Sequence, residues 1–142
     1  MEVRELSTVD EMHSVYPLMA ELRPQVTKER YLALLRSMVR GGYRLFALRD
    51  AGSEVALAGV GVGTNLYFGR YMWVFDLITS DRVRSRGYGR ALLEHVERVA
   101  RDEGCEVIAL SSGVQRTDAH RFYEQHMGYE RASYVFRKSL EA

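Results

Sequence analysis

The segment RSRGYGR, residues 84–90, combines glycine and positive charge at a junction between two elements. The apolar run before it, residues 71–79, is typical of a strand, and the pattern after it is helical. The first N–H groups of a helix lack backbone partners and carry the positive end of the helix dipole. Gly87 and Gly89 have no Cβ, so an anion can approach the backbone closely. The segment therefore predicts a cradle for a phosphate or pyrophosphate group. Three arginines add positive charge at its rim: Arg84, Arg86 and Arg90.

The alternative interpretation of this segment is a solvated loop whose charges serve solubility. Its glycine spacing is neither the G-x-G-x-x-G of dinucleotide-binding proteins nor the G-x-x-x-x-G-K-[ST] of nucleotide triphosphatases. The context favours the cradle, because a strong strand pattern precedes the loop and the predicted helix 87–103 has an apolar stripe. That stripe consists of Leu92, Leu93, Val96, Val99 and Ala100.

The length of 142 residues and the composition fit a single globular domain, residues 1–142. The net charge of +1 argues against a general polyanion binder, so we expect no nucleic-acid partner. No apolar run approaches the roughly 20 residues of a membrane span, and the charged start of the sequence is unlike a signal peptide. We therefore expect no membrane association. A single cysteine, Cys105, excludes an internal disulfide and fits a reducing, cytoplasmic location.

The elements ahead of the glycine segment are predicted by caps, glycines and apolar spacing. A short strand covers residues 3–6, and a helix covers residues 8–22, where Thr8 and Glu11 have the spacing of a capping box. A second helix covers residues 27–40. Three strands with short connections, and therefore antiparallel, follow at residues 43–48, 55–63 and 71–79.

The elements after the glycine segment complete a mixed α/β domain. A strand at residues 105–110 follows the helix, and strand–helix–strand order favours parallel pairing with residues 71–79. A helix at residues 118–127 and a last strand at residues 129–138 end the pattern. The prediction is a central, mostly antiparallel sheet.

Two segments resemble motifs of the GCN5-related N-acetyltransferase (GNAT) superfamily. Arg84-x-x-Gly87-x-Gly89 matches its (Gln/Arg)-x-x-Gly-x-(Gly/Ala) motif. DAHRFYEQHMGYE, residues 118–130, is similar to its A-x-x-x-Y-x-x-x-G-(F/Y) helix and strand. Both lie in the superfamily's order, and the element order fits as well. The resemblance implies the GNAT fold, a mixed sheet of six to seven strands flanked by about four helices, in which a splayed parallel pair holds acetyl-CoA.

The resemblance further implies that acetyl-CoA is the cosubstrate and that the acetyl group passes directly to a primary amine of a small molecule or protein. The pantetheine arm would lie along the bulged strand before the cradle, and the pyrophosphate would meet the amides of residues 84–90. The implied cosubstrate-binding residues are Leu77, Ile78, Thr79, Arg84, Ser85, Arg86, Gly87, Tyr88, Gly89 and Arg90. Arg116 stands where the superfamily often has Asn, three residues before Ala119, so contacts credited to that Asn are not carried over.

Acetyl transfer needs a base for the amine proton, donors for the oxyanion and a proton for the leaving thiolate. A free backbone N–H at a strand bulge near Thr79 could be the oxyanion donor. The resemblance assigns the last proton to Tyr123, whose alternative role is packing on an apolar helix face. Asp76 interrupts an apolar strand, where Asp is depleted, so it is the candidate base or cation-binding residue. The alternative role of Asp76 is that of a strand residue that is hydrogen-bonded to the backbone or exposed to solvent.

Other chemistries and functions remain as alternatives. Cys105 could form an acetyl-enzyme, although a small buried residue is the favoured role. The four histidines show no metal-binding spacing such as H-E-x-x-H, so we expect no metal. A non-catalytic acyl-CoA-binding or sensing module on the same fold is the main alternative to an enzyme. No motif names the acceptor amine, and the oligomeric state is open, with a homodimer as one option.

Overall fold

The computed structural model describes residues 1–84 and 86–141 of the chain. The chain divides into two units, Met1–Leu110 and Ser111–Ala142, whose described residues are treated in turn. The first unit contains a five-stranded sheet with the strand order β1-β2-β3-β4-β5. Its strands are β1 Glu2–Leu6, β2 Arg44–Asp50, β3 Ser53–Asn65, β4 Gly69–Thr79 and β5 Val107–Leu110. The first four strands pair antiparallel with their neighbours, and β5 pairs parallel with β4. The antiparallel pairing of β2, β3 and β4 and the parallel pairing of β5 agree with the sequence prediction.

The helices of the first unit are α1 Val9–Ser14, α2 Tyr16–Leu22, α3 Lys28–Arg40 and α4 Tyr88–Asp102, and a 3-10 turn, Asp81–Val83, precedes α4. In the described part of the chain, no helix is long and apolar enough to cross a bilayer.

The predicted single helix at residues 8–22 is wrong, because two short helices occupy this stretch. Its predicted start is confirmed: the Thr8 side chain accepts from the Glu11 N–H at 3.0 Å, and the Glu11 carboxylate accepts from the Thr8 N–H at 3.2 Å. The break falls at Val15, and Pro17 lies in the first turn of α2. A proline has no N–H to donate and is tolerated only in the first turn of a helix, so it favours a new start here over a continuous helix.

The two faces of the sheet bury different side chains, because alternate residues of a strand point to opposite faces. Leu45 and Ala47 of β2 belong to a core cluster shared with α1, α2 and α3. Phe46, between them, has its ring 5.5 Å from the ring of His95 on α4. Three fully buried side chains fix α4 against this second face: Leu92, Leu93 and Val96. Full burial of each is worth about 1.5–3 kcal/mol.

A β-bulge interrupts β4 at Phe75. In the register of β3 and β4, Gly59 faces Asp76 while the next residue, Val60, faces Val74. Phe75 is therefore the extra residue on β4, and such an insertion bends a strand and increases its twist.

The bulge predicted near Thr79 is therefore misplaced by four residues. The glycines of β3 explain its actual position. A Cβ at Gly59 would overlap the Tyr43 ring, and a Cβ at Gly61 would lie 2.9 Å from the Phe75 ring. The Tyr43 and Phe75 rings can both pack on β3 because Gly59 and Gly61 have no side chains.

The parallel pairing of β4 and β5 is short. It begins at Tyr71 opposite Val107 and ends at Val74 opposite Leu110. The bulge follows at once, and β4 then runs on to Thr79. The parallel pairing thus ends directly before the bulge, and the rest of β4 has no pairing with β5.

The second unit contains a short helix, α5 Thr117–Arg121, which continues as a π-helical turn, Phe122–His126. Residues 128–141 form no helix or strand, so the predicted strand at residues 129–138 is wrong and the described sheet has five strands instead of six or seven. Tyr134, Val135 and Phe136 favour extended structure, but a strand also needs a partner for its backbone groups. All three are exposed by 66% or more.

We predict that Gly59→Ala destabilises the protein. The added methyl group meets the Tyr43 ring, which is buried and cannot move without disturbing the core. Overpacking of this kind typically costs about 1–3 kcal/mol in the free energy of unfolding. Chemical denaturation of the two proteins measures the difference.

Gly41→Ala is the matched control, because Gly41 has a negative φ and a Cβ there would make only ordinary van der Waals contacts. Its free energy of unfolding should stay within about 0.5 kcal/mol of the unmodified protein. Equal stability of the two alanine variants would contradict the packing described for Tyr43.

Candidate active site

The start of α4 has the geometry of an anion cradle. Gly87 precedes the helix with φ 79°, in the left-handed region that favours glycine, and as the N-cap residue it has no side chain that could cap the first turn. The first intrahelical bond runs from the Ala91 N–H to the Gly87 carbonyl at 3.0 Å. The N–H groups of Tyr88, Gly89 and Arg90 precede that bond, so they lie in the turn whose donors have no helical acceptor.

Tyr88 ties this cradle to the sheet. Its ring is buried, and its hydroxyl donates to the Asp50 carboxylate at 2.5 Å. This bond raises the pKa of Tyr88 and lowers the pKa of Asp50. Because the Tyr88 side chain serves this anchor, only its backbone is available to a ligand in the cradle.

The arginines at the rim are exposed and weakly engaged. Arg84 pairs with Asp81 at 2.6 Å, and Arg90 lies 3.7 Å from Glu94. Exposed pairs of this kind contribute about 0–1 kcal/mol, so a phosphate can displace them at little cost. Arg86 is exposed as well. Ser85, which the sequence also predicts as a ligand contact, lies outside the described residues.

The segment Leu77, Ile78 and Thr79 lies on β4 beyond its parallel pairing with β5. The Ile78 side chain is buried in the core cluster, while Leu77 and Thr79 are half-buried. Since Ile78 is fixed in the core, this segment is rigid enough to present its backbone groups to a ligand in a defined direction.

Asp76 is held by two side chains that the sequence analysis did not identify. Its Oδ1 accepts from Nε and Nη2 of Arg23 at 3.2 and 3.1 Å, and its Oδ2 accepts from the Tyr43 hydroxyl at 2.8 Å. Arg23 Nη2 also donates to the Phe75 carbonyl at 2.8 Å. Asp76 is thus an ion-paired, hydrogen-bonded carboxylate next to the bulge, with a side chain only 12% exposed.

A cavity of about 130 Å³ opens beside this cluster, between α2, α3 and the strands. Asp76, Arg23 and Tyr43 line it together with Tyr16 and Tyr31. Burial, followed by the charge of Asp76, raises the pKa of both Tyr31 and Tyr43. Their phenols therefore stay protonated at neutral pH, and Tyr43 remains a donor to Asp76.

Tyr123 lies in the π-helical turn of the second unit, whereas Asp76 and the cradle belong to the first. Its ring is buried, with the rings of Phe122 and Tyr129 5.4 and 6.0 Å away. Burial raises its pKa, against a smaller opposing effect of the Arg116 charge. The phenol is therefore protonated at neutral pH, which is the state an acid needs.

Cys105 and the histidines supply neither a reactive nucleophile nor a metal site among the described residues. The Cys105 thiol is half-buried, and burial raises its pKa, so little reactive thiolate forms at neutral pH. His120 is engaged with the Gly113 carbonyl at 2.8 Å. Within residues 1–84 and 86–141, no group of His, Cys, Asp and Glu side chains could hold a metal ion.

Comparison with known proteins identifies the family. The sequence model of the acetyltransferase (GNAT) family matches residues 9–129. A Bacillus subtilis (strain 168) protein named "Uncharacterized N-acetyltransferase YhdJ" is 40% identical over 141 residues, which cover 99% of each chain. The aminoalkylphosphonate N-acetyltransferase of Salmonella typhimurium is 33% identical over 141 residues, or 94% of this chain and 88% of that protein.

Solved structures share the fold at lower identity. The aminoglycoside N-acetyltransferase AAC(6')-Iy in complex with CoA has a TM-score of 0.85 and 16% identity, over 99% of this chain and 95% of that chain. The ribosomal-protein-alanine N-acetyltransferase of Brucella melitensis has a TM-score of 0.79 and 19% identity, over 97% of this chain and 100% of that chain. The chain belongs to the acetyltransferase (GNAT) family and is an acyltransferase enzyme.

Proposed function

We propose that this enzyme transfers the acetyl group of acetyl-CoA directly to a primary amine of a small molecule or protein. The observation that carries the proposal is the continuity of β4 and α4: a strand that extends beyond its parallel partner leads into a helix whose N-cap residue is a glycine in the left-handed region. The CoA complex of the structural neighbour and the names of the two sequence relatives support it. The family match from residue 9 to 129 supports a single domain, and the one free cysteine supports a cytoplasmic location.

The described residues fit acetyl-CoA as cosubstrate. The free amides at the start of α4 would hold the pyrophosphate, and Arg84, Arg86 and Arg90 would exchange surface pairs for phosphate oxygens. The backbone of residues 77–79 would hydrogen-bond the pantetheine arm, which would place the thioester near the bulge. Acetyl-CoA supplies the activated acetyl group, and the chain orients it.

In the proposed reaction, a C–N bond forms between the amine and the acetyl carbonyl carbon, and the C–S bond breaks. An ammonium ion must first lose a proton, because the protonated amine has no free electron pair. Asp76 would bind the amine and pass this proton to water, since its carboxylate is fixed beside the cavity. Tyr123 would give a proton to the departing sulfur, so that CoA leaves as a thiol, and the second proton that the nitrogen loses as the amide forms would restore the Tyr123 phenol. The low thiolate content of Cys105 favours this direct route over an acetyl-cysteine.

Gly89→Glu should weaken CoA binding. The new carboxylate would stand in the first turn of α4, where a phosphate is proposed to lie. Two like charges about 4 Å apart repel by about 4 kcal/mol at an effective dielectric constant of about 20, so the Kd for CoA should rise at least tenfold. Isothermal titration calorimetry measures this Kd.

Glutamate in the first turn of a helix favours the folded state, so loss of binding would not reflect unfolding. Ala33→Glu adds the same charge on the exposed part of α3 and should leave CoA affinity unchanged. An unaltered Kd in folded Gly89→Glu would remove the cradle from the account.

The proposed reaction predicts thiol release from acetyl-CoA that depends on an added amine, with the N-acetyl product detected by mass spectrometry.

Tyr123→Phe keeps the ring and removes the hydroxyl, so kcat should fall by about 10²–10⁴-fold, the usual worth of general-acid assistance. The Kd for CoA should change little.

Tyr134→Phe, at an exposed position, is the matched control and should keep the normal kcat. If Tyr123→Phe turns over within about twofold of the unmodified enzyme, water or another group is the acid. An enzyme that binds acetyl-CoA but acetylates no amine would instead refute the transferase proposal.

A further inference from the structure

The cavity beside Asp76 is small and contains one charge of each sign. Its volume of about 130 Å³ lies well below the roughly 300–1,000 Å³ of sites that enclose drug-sized ligands. Most of its lining is apolar or aromatic, including Met19, Leu34 and Met38. The only charged side chains that line it are Asp76 and Arg23, among the residues that the structure describes.

The Asp76 carboxylate retains capacity to accept another hydrogen bond. An ionised carboxylate offers about four acceptor positions on two oxygens. Arg23 occupies Oδ1 twice and Tyr43 occupies Oδ2 once. The remaining position on Oδ2 suits one N–H of an ammonium group.

Arg23 retains donors as well. A guanidinium group has five N–H donors in a rigid plane. Nε and Nη2 donate to Asp76 and to the Phe75 carbonyl, whereas Nη1 makes no hydrogen bond to any residue in 1–84 or 86–141. The bonds through Nε and Nη2 fix the plane of the guanidinium, so Nη1 is a pre-oriented, charged donor pair on a residue that lines the cavity.

We infer that the acceptor is a small primary amine that carries an anionic group, a carboxylate or phosphonate, a short aliphatic spacer away from the nitrogen. Asp76 Oδ2 receives the ammonium group, and Arg23 Nη1 donates to the anion. This inference rests on the proposed function and assigns the substrate class of the same site.

Other amines fit this arrangement less well. A polycation would bring a second positive charge close to the Arg23 guanidinium, and that charge has no further carboxylate in the cavity lining to meet it. A neutral alkylamine would leave the Nη1 donors without an anionic acceptor. An amine with an anionic tail satisfies both charged residues and adds no net charge to the cavity.

The test compares four amines that share an aminoethyl group, with kanamycin added as a larger polycation. β-Alanine and 2-aminoethylphosphonate carry the anion, β-alaninamide is the neutral match, and 1,3-diaminopropane and kanamycin represent polycations. Charge-assisted hydrogen bonds contribute about 1.5–3 kcal/mol, so kcat/KM for at least one acidic amine should exceed that for β-alaninamide by about tenfold to a hundredfold. The ratio of the two acids distinguishes a carboxylate from a phosphonate preference.

Arg23→Gln removes the charge and the Nη1 donors, so KM for the acidic amine should rise by about tenfold to a hundredfold more than KM for β-alaninamide does, while KM for acetyl-CoA changes little. Arg23→Lys should restore part of the preference for the acid. Arg36→Gln, at an exposed position of α3 outside the cavity lining, is the matched control and should behave like the unmodified enzyme.

A merely structural Arg23 would give a different result, since its loss would impair all amines alike. That outcome, or a preference for β-alaninamide or a polycation in the unmodified enzyme, overturns the inference and leaves the transferase function standing. Calorimetry with β-alanine and 2-aminoethylphosphonate in the presence of CoA separates the two claims. If both acids bind the unmodified protein no better than they bind Arg23→Gln, the inference fails whether or not any amine is acetylated.

Discussion

The short parallel pairing of β4 and β5 is the constraint on which the rest of the site depends. The pairing ends at Val74, and the bulge at Phe75 follows directly, so the last residues of β4 pair with β3 alone. Backbone groups at a strand edge are strong donors and acceptors that need partners. An extended, amide-containing ligand such as the pantetheine arm of acetyl-CoA meets this need. The same strand then delivers the chain into the start of α4, where an anion can bind. The end of β4 therefore provides a free strand edge, and the chain that follows it provides the anion cradle at the start of α4.

Asp76, the residue after the bulge, connects three distant parts of the chain through its hydrogen bonds. Arg23 comes from the end of α2 and Tyr43 from the residue before β2. The Tyr43 ring can lie there only because Gly59, directly opposite Asp76 in the sheet, has no side chain. A buried carboxylate without partners would be costly, so the three residues stabilise one another as a unit. The cluster keeps a charged group beside the cavity while the core around it remains apolar.

The sequence predicts local features well and distant pairings poorly. The Thr8–Glu11 capping box, the apolar stripe of α4 and the glycine before it depend on neighbouring residues, and each appears where the spacing indicates. Arg23 and Asp76 are 53 residues apart, and no local pattern relates them. Their contact follows from the bulge, whose position depends on ring packing against glycines of another strand. Residues 129–138 illustrate the same limit, because their aromatic and β-branched side chains favour a strand but cannot supply its partner.

Hydrogen–deuterium exchange with and without acetyl-CoA tests the central claim most directly, namely that the edge of β4 and the start of α4 together bind the cosubstrate. Amides within residues 75–79 and 87–90 should exchange more slowly when acetyl-CoA is saturating, because free N–H groups gain acceptors. Amides of β1 and β2, which already pair within the sheet, should exchange at the same rate in both states. Unchanged exchange in both β4 and the α4 start at saturating acetyl-CoA would contradict the account.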